Sequence, residues 1–245
     1  MIKQLENDIA LSYPEGLTRQ KTIPTFHPET AEEAADILVR AAKHNQKLFI
    51  SGFGNNIDPS GDRYANLLVL KSDRLNSIVD IAPADFHITV GSGYPLKEIN
   101  KVIAEQNLYF PFSDTNYPGS CGGALAAGLT GFDGNHIVPF SRQLLGVTAV
   151  LPDGSIIKPG AKTFKSVSGY DISRMFFNSW GLLGFIVQLT FRVLPLSKKD
   201  SEPRIVPNHP DRAGFISDYR GETPLSEMCR KIKAEYDQTE LLPLI

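Results

Sequence analysis

This sequence predicts a two-lobed α+β fold, on three observations. The first hundred residues hold an amphipathic helix among several short strands. Two glycine-rich loops, at 51–56 and 119–123, each follow an apolar stretch, and a long alternating strand at 185–193 dominates the second half. With 245 residues, 42% hydrophobic and 21% charged, the chain has material for one large domain or two small lobes. Twenty-five Lys and Arg against 27 Asp and Glu leave a net charge of −2, so the basic footprint of a nucleic-acid binder is absent. Cys121 and Cys229 lie far apart and neither belongs to a Cys-x-x-Cys pair. An iron–sulfur cluster or zinc ribbon held by this chain alone is thereby excluded. Two thiols fit a reducing compartment, with one long-range disulfide left open. Glu6 and Asp8 fall where a leader peptide would be apolar, and no run approaches the roughly 18 apolar residues of a membrane span. The expectation is a soluble, cytoplasmic protein with no direct membrane insertion.

The elements follow in order. Residues 1–21 are polar and mixed, and read as an arm or loosely packed first element. Thr30 and Glu33 form a capping box, and Ala34, Ile37, Leu38 and Ala41 recur at helical spacing up to about Asn45. Short strands are expected at 47–51, 66–70, 78–81 and 86–90. A second helix over 95–106 opens with a proline and buries Leu96, Ile99, Val102 and Ile103. Together these make a first lobe over 22–107 and a second over 108–197. Six glycines fall between 111 and 134. Pro152-Asp153-Gly154 turns a hairpin between 145–150 and 155–158. Asp171 is placed to cap a short helix to Phe177. From Phe185 to Val193 every second residue is apolar, which predicts one buried face. Residues 198–224, rich in proline and charge without an apolar period, read as a linker or strap. Leu225, Met228, Ile232 and Tyr236 return at helical spacing, so 225–245 reads as a closing helix and tail docked on the body.

Several sites are excluded. No Gly-Lys dipeptide exists for a Walker loop. Gly52-Phe53-Gly54 and Gly91-Ser92-Gly93 lack the third glycine of a dinucleotide fingerprint. Pro118 spoils a hydrolase elbow at Ser120. The five histidines show no metal spacing, and no metal is expected. What remains is the pair of glycine loops. In the first, Ser51, Gly52, Phe53, Gly54, Asn55 and Asn56 follow a strand, where successive N–H groups can converge on an anion. In the second, Gly119-Ser120-Cys121-Gly122-Gly123 leads into Ala124-Leu125-Ala126-Ala127, leaving a bare backbone for a flat or phosphorylated ligand. Neither 48–62 nor 102–141 contains a lysine or arginine, so phosphates held here would depend on backbone N–H groups. The same glycines also suit tight turns and close packing, and glycine content alone favours that reading.

The order of these pieces resembles the vanillyl-alcohol oxidase/PCMH superfamily of FAD-binding domains. A helix follows His27-Pro28-Glu29-Thr30, and the loop 51–56 looks like the family's pyrophosphate loop. Ser120-Cys121-Gly122-Gly123-Ala124-Leu125-Ala126-Ala127 is similar to its second loop and alanine-rich helix. Lys165-Ser166-Val167-Ser168-Gly169-Tyr170-Asp171-Ile172-Ser173-Arg174, with Gly181-Leu182-Leu183-Gly184-Phe185-Ile186-Val187, looks like the FAD-binding (E) subunit of glycolate oxidase and related 2-hydroxyacid dehydrogenases. The likeness covers 24–197 and 225–243. It implies a PCMH-type FAD-binding fold and cofactor contacts from Ser51, Gly52, Phe53, Gly54, Asn55, Asn56, Pro111, Ser113, Gly119, Ser120, Gly122, Gly123, Ala127 and Ile186. It also implies a catalytic flavoprotein subunit and an iron–sulfur subunit as partners.

The departures from the family pattern shape the expectation. Positions 51–58 contain no histidine or cysteine, so FAD is expected to bind non-covalently. Phe132-Asp133-Gly134-Asn135-His136 stands where the family carries an arginine, and Asn178-Ser179-Trp180 replaces its usual Gly-Ser. Family members carry a substrate (cap) domain where this chain has only 198–224, far below domain size. No catalytic residue is assigned: Arg142, Lys158, Lys165 and Arg174 read as solvated or paired charges, Tyr170 as packing and Asp171 as a cap. The leading expectation is the FAD-binding subunit of a multi-subunit 2-hydroxyacid oxidoreductase. The alternatives are a scaffold that keeps the fold without catalysis, or a small oxidase completed by a partner.

Overall fold

In the computed structural model, which describes residues 2–57, 64–160, 172–202 and 204–244, the chain opens with helix α1 (Ile2–Ser12) and a hairpin of β1 (Leu17–Gln20) and β2 (Ile23–Phe26). Helix α2 (Ala31–Lys43) follows, then β3 (Leu48–Ser51) and β4 (Leu68–Lys71). These four strands make one sheet, ordered β1-β2-β4-β3, in which β4 runs parallel to both β2 and β3. Thr30 caps α2 by accepting from the Glu33 N–H at 3.1 Å, and the Glu33 carboxylate accepts from Glu29 N–H. Ala34, Ile37, Leu38 and Ala41 are all fully buried, as their spacing predicts. The expected loose arm is instead α1, because Leu5 and Ile9, one turn apart, are also fully buried against Phe26 and α2. Two such aliphatic side chains contribute about 1.5–3 kcal/mol each, which outweighs the polar character of their neighbours.

The second sheet begins with β5 (Ile78–Ala82) and β6 (His87–Gly91). Both lie before the expected lobe boundary at 107, yet β6 pairs with a strand of the second half, and β5 joins the same sheet at its edge through β6. The short helix α3 (Ile99–Ile103) is flanked by 3₁₀ turns at Leu96–Glu98 and Ala104–Gln106, so the expected continuous helix over 95–106 is broken into three pieces. Leu96, Ile99 and Ile103 are nonetheless buried. After β7 (Leu108–Tyr109) come α4 (Cys121–Ala126), β8 (Thr130–Phe132) and β9 (Ile137–Pro139). Strands β10 (Leu144–Val150) and β11 (Ile156–Ile157) form the expected hairpin, with Gly154 at φ +86°. The expected cap Asp171 and most of 165–174 lie outside the described residues, and Ile172–Phe176 is a 3₁₀ turn. Strand β12 (Phe185–Arg192) then completes an antiparallel sheet ordered β11-β10-β12-β6-β5, and β13 (Leu194–Pro195) pairs with β7.

Strand β12 departs from simple alternation. Gln188 pairs with Thr148 and Ile186 with Ala149, so Val187 has no partner on β10. An extra residue of this kind reverses which face the following side chains occupy. Phe185 and Val187 therefore join the core around α2, whereas Ile186, Leu189, Phe191 and Val193 join a second core. The expectation of one buried face is corrected: this strand serves two cores. Phe110, Phe112, Phe140 and Phe191 cluster in the second, with ring centroids 5.0–6.3 Å apart.

Residues 198–224 are not a featureless strap. Strand β14 (Val206–Asn208) pairs with β8 in a three-stranded sheet β14-β8-β9, and α5 (Arg212–Arg220) is capped by Asp211, which accepts from Gly214 N–H at 2.9 Å. Helix α6 (Pro224–Tyr236) begins at a capping box of Thr223 and Ser226. Its docked face differs from the expected one. Ile232 and Tyr236 pack on the second core, but Leu225 and Met228 are exposed and Ser226 is buried. The tail is fixed by Asp237, whose buried carboxylate pairs with Lys233 and accepts from Leu241 and Leu242 N–H, each at 2.8 Å. Leu241 and Leu242 in turn fill the α2 core. Asp237→Ala strands the Lys233 ammonium and two buried N–H groups, and is expected to cost about 3–5 kcal/mol in urea denaturation.

A polar clasp joins the first hairpin to the turn after β4. His27 Nδ1 lies 2.6 Å from Asp73, Lys71 Nζ lies 3.2 Å from the same carboxylate, and His27 Nε2 lies 2.8 Å from Thr18 Oγ1. Partial burial alone would raise the Asp73 carboxyl, but the hydrogen bond and charge of His27 and the Lys71 ammonium hold it below its ordinary range. A carboxyl depressed on folding stabilises fully above its unfolded pKa, about 3.9, and loses that contribution as pH falls through the folded value. Asp73→Asn is expected to lower stability at neutral pH and to flatten the acid limb of the melting-temperature–pH profile.

Candidate functional site

A cleft opens between the two sheets, at the C-terminal end of β3 and along α4. Its space, counted with the open solvent at its mouth, is about 700 Å³. Both glycine loops line it. Their contact is close: a Cβ on Gly52 would lie 3.0 Å from Ser120 Oγ and 3.7 Å from Gly123 Cα. A Cβ on Gly122 would lie 2.6 Å from Ser92 Cβ, so only glycine lets α4 sit against the end of β6. Side-chain amides finish the seam, with Asn55 donating to Pro118 O at 3.0 Å and Asn56 to the Tyr117 hydroxyl oxygen at 2.7 Å.

The two loops have different roles. In the second, Cys121 N–H is donated to Tyr94 O, Gly122 N–H to Ser92 O and Gly123 N–H to Ser120 Oγ, at 2.8–3.1 Å. Those three donors are spent on the fold, while the N–H groups of Gly119 and Ser120 in the same loop have no acceptor among the described residues. In the first loop, the N–H groups of residues 53–56 have no acceptor among the described residues. Two side-chain donors complete the set. Ser92 Oγ is buried with no hydrogen-bond partner among the described residues. Tyr117 accepts from Asn56 while its own proton has no acceptor among the described residues, and burial holds its O–H above the usual range, hence protonated. Phe49, Ile50, Ile57, Trp180 and Ile186 supply apolar walls, and among the described residues none that lines the cleft carries a charge.

Ser51, Gly52, Phe53, Gly54, Asn55, Asn56, Gly119, Ser120, Gly122, Gly123, Ala127 and Ile186 are thus brought together here. Pro111 and Ser113 are not. They lie in a buried 3₁₀ turn, Pro111–Thr115, where Ser113 Oγ accepts from Asn100 N–H at 3.1 Å. The Asn100 side chain holds the same segment through Phe110 and Asp114. Sequence reasoning missed Ser92, Tyr117 and Trp180. Ser92 was visible as the centre of Gly91-Ser92-Gly93, a close approach of backbones rather than a failed fingerprint. Cys121 is fully buried, and burial pushes its thiol far up, so it is a packing residue without nucleophilic character.

Neutral donors beside bare backbone, with apolar walls on either side, define a cleft for a dinucleotide: donors for the pyrophosphate, walls for the rings. The comparisons agree. A family model described as FAD binding domain (FAD_binding_4) matches residues 24–160, more than half of the sequence, and the chain belongs to that family. A D-lactate dehydrogenase [cytochrome] 1 from Saccharomyces cerevisiae is 28% identical over 67% of this chain and 28% of its own length. A glycolate oxidase subunit GlcD from Bacillus subtilis is 25% identical over 69% of this chain and 36% of its own. An uncharacterized FAD-linked oxidoreductase from Mycobacterium tuberculosis is 26% identical over 72% of this chain and 38% of its own. The chain therefore spans about a third of the length of these relatives. A solved alkyldihydroxyacetonephosphate synthase, 16% identical, superimposes with a TM-score of 0.63 over 79% of this chain and 40% of its own, which shows the PCMH-type FAD-binding fold. FAD is the cofactor of this family, and the donors and walls of the cleft fit it.

Gly122→Asp forces apart α4 and Ser92 and sets a carboxylate beside the donors. It is expected to weaken FAD binding at least tenfold, or about 1.4 kcal/mol, in equilibrium dialysis.

Proposed function

We propose that this chain is the FAD-binding part of an oxidoreductase acting on 2-hydroxyacids of the glycolate and lactate type. FAD is held non-covalently, and electrons pass through it to partners in a complex, a catalytic flavoprotein subunit and an iron–sulfur subunit. The observation that carries this reading is the cleft itself: N–H groups at 53–56 with no acceptor among the described residues, in a cleft whose described lining is uncharged. When bound, FAD supplies the hydride- and electron-accepting chemistry of such enzymes. The described residues of this chain supply the rest of the binding. Residues 53–56 offer backbone donors, Ser92 and Tyr117 offer hydroxyls, and Phe49, Ile50 and Trp180 exclude water from the rings.

The same wall favours electron relay over substrate oxidation by this chain alone. Among the described residues it contains no carboxylate, imidazole or ammonium to take a proton from a hydroxyacid, and Tyr117 stays protonated. The D-lactate dehydrogenase and glycolate oxidase relatives support the substrate class. Among the described residues no helix is long and apolar enough to cross a membrane.

The purified protein is expected to absorb between 350 and 500 nm and to release all of its flavin when precipitated with acid. The isolated chain is expected to show little turnover of glycolate or D-lactate with a dye acceptor, and to co-purify with a larger flavoprotein and an iron–sulfur protein. Flavin retained in the precipitate refutes non-covalent binding. Turnover at an ordinary enzymatic rate, roughly 1–1,000 per second, by a lone monomer refutes the complex.

A further inference from the structure

We propose that Trp180 is a stacking wall of the cleft, receiving one planar ring of the bound dinucleotide, and that α5 holds it in position. The inference rests on the FAD reading above. Trp180 is the only tryptophan in the sequence and lines the cleft beside Ala126, Ala127 and Gly181. It stands at φ +49°, in the left-handed region, two residues after Asn178 at φ +59°. Bulky residues adopt that conformation only where the surroundings enforce it, and such strain concentrates at functional sites.

Three contacts enforce it here. Trp180 N–H is donated to Ala126 O at 2.8 Å, at the C-terminal end of α4. Its indole N–H is donated to Asn178 Oδ1 at 2.9 Å. Its ring packs against Phe215 of α5 with centroids 5.9 Å apart, and Phe215 packs against Tyr219 of the same helix at 6.0 Å. With the indole donor satisfied and one side covered by Phe215, the half-buried ring offers the cleft an aromatic surface and no polar group. That surface suits a flat, polarisable ring better than a phosphate or sugar. Tyr117 marks the opposite end of α4, whose six residues rise roughly 9 Å. The two ends of the cleft are therefore distinct, and Trp180 meets one ring of the dinucleotide, adenine or isoalloxazine, but not both.

The test compares FAD affinities by equilibrium dialysis for the parent protein and for Trp180→Leu, Trp180→Phe and Phe215→Ala, with AMP and FMN as separate probes of the two rings. Base-on-aromatic stacking predicts about ten- to a hundredfold weaker FAD binding for Trp180→Leu. Trp180→Phe is expected to stay within about threefold of the parent, and Phe215→Ala to fall between. The loss in Trp180→Leu is expected for AMP or for FMN, not for both. Parent-like affinity in Trp180→Leu overturns the proposal. Equal losses in the Leu and Phe variants, or equal losses for AMP and FMN, overturn it as well, because both point to general disruption of the cleft. A parent protein that binds no FAD in the same dialysis refutes the FAD reading itself, and this inference with it.

Discussion

The cleft depends on a short relay of backbone hydrogen bonds. Ser92 N–H is donated to Val187 O at 2.8 Å, and Gly122 N–H to Ser92 O at 2.8 Å. Val187 is the residue of β12 that β10 leaves unpaired. With this irregularity goes the split of β12 between two cores, while on its other edge β12 seats β6, and Ser92, just after β6, in turn seats α4. The first loop then closes on α4 through Gly52. Bulges commonly re-aim side chains beside functional sites, and here Phe185 and Ile186, next to the bulge, both reach the cleft wall.

Much of the fold was legible because it rests on local physics. Thr30, Glu33 and the apolar face of α2 declare a helix and its start, and Pro152-Asp153-Gly154 declares a hairpin. The first loop was legible because few reasons place Gly52, Phe53, Gly54 and two asparagines directly after a buried strand. What escaped was non-local. Alternation from Phe185 to Val193 carries no sign that Val187 is skipped, since the skip is set by β10. Pro111 and Ser113 read as site residues by resemblance, yet Asn100 draws them away from the cleft. The N–H groups of 121–123 read as ligand donors until their partners on 92–94 and Ser120 are placed.

Residues 198–224 show the same limit from the other side. Proline and charge hide a strand whose pairing with β8 uses only three residues, and a helix held by an aromatic contact with Trp180 and by Arg230 of α6, which donates to Tyr219 O and Gly221 O. Neither gives an apolar period, because each buries little. The segment nonetheless sits where it matters, linking the outer three-stranded sheet to the cleft rim. Helix α6 likewise docks through Ile232, Tyr236 and the Asp237 carboxylate, while Leu225 and Met228, the more apolar part of its expected stripe, face outward.

Among the described residues the cleft wall is uncharged, and this decides how the cleft responds to salt. Dissolved ions weaken attraction between exposed charges within a Debye length of about 8 Å at physiological ionic strength. They have little to screen where a pyrophosphate meets fixed amide and hydroxyl dipoles in a half-dry groove. Subunit contacts made through surface lysines and glutamates loosen as salt rises, but the grip of this cleft is set by shape and dehydration. Raising the salt concentration therefore leaves the cofactor's hold on this chain largely intact.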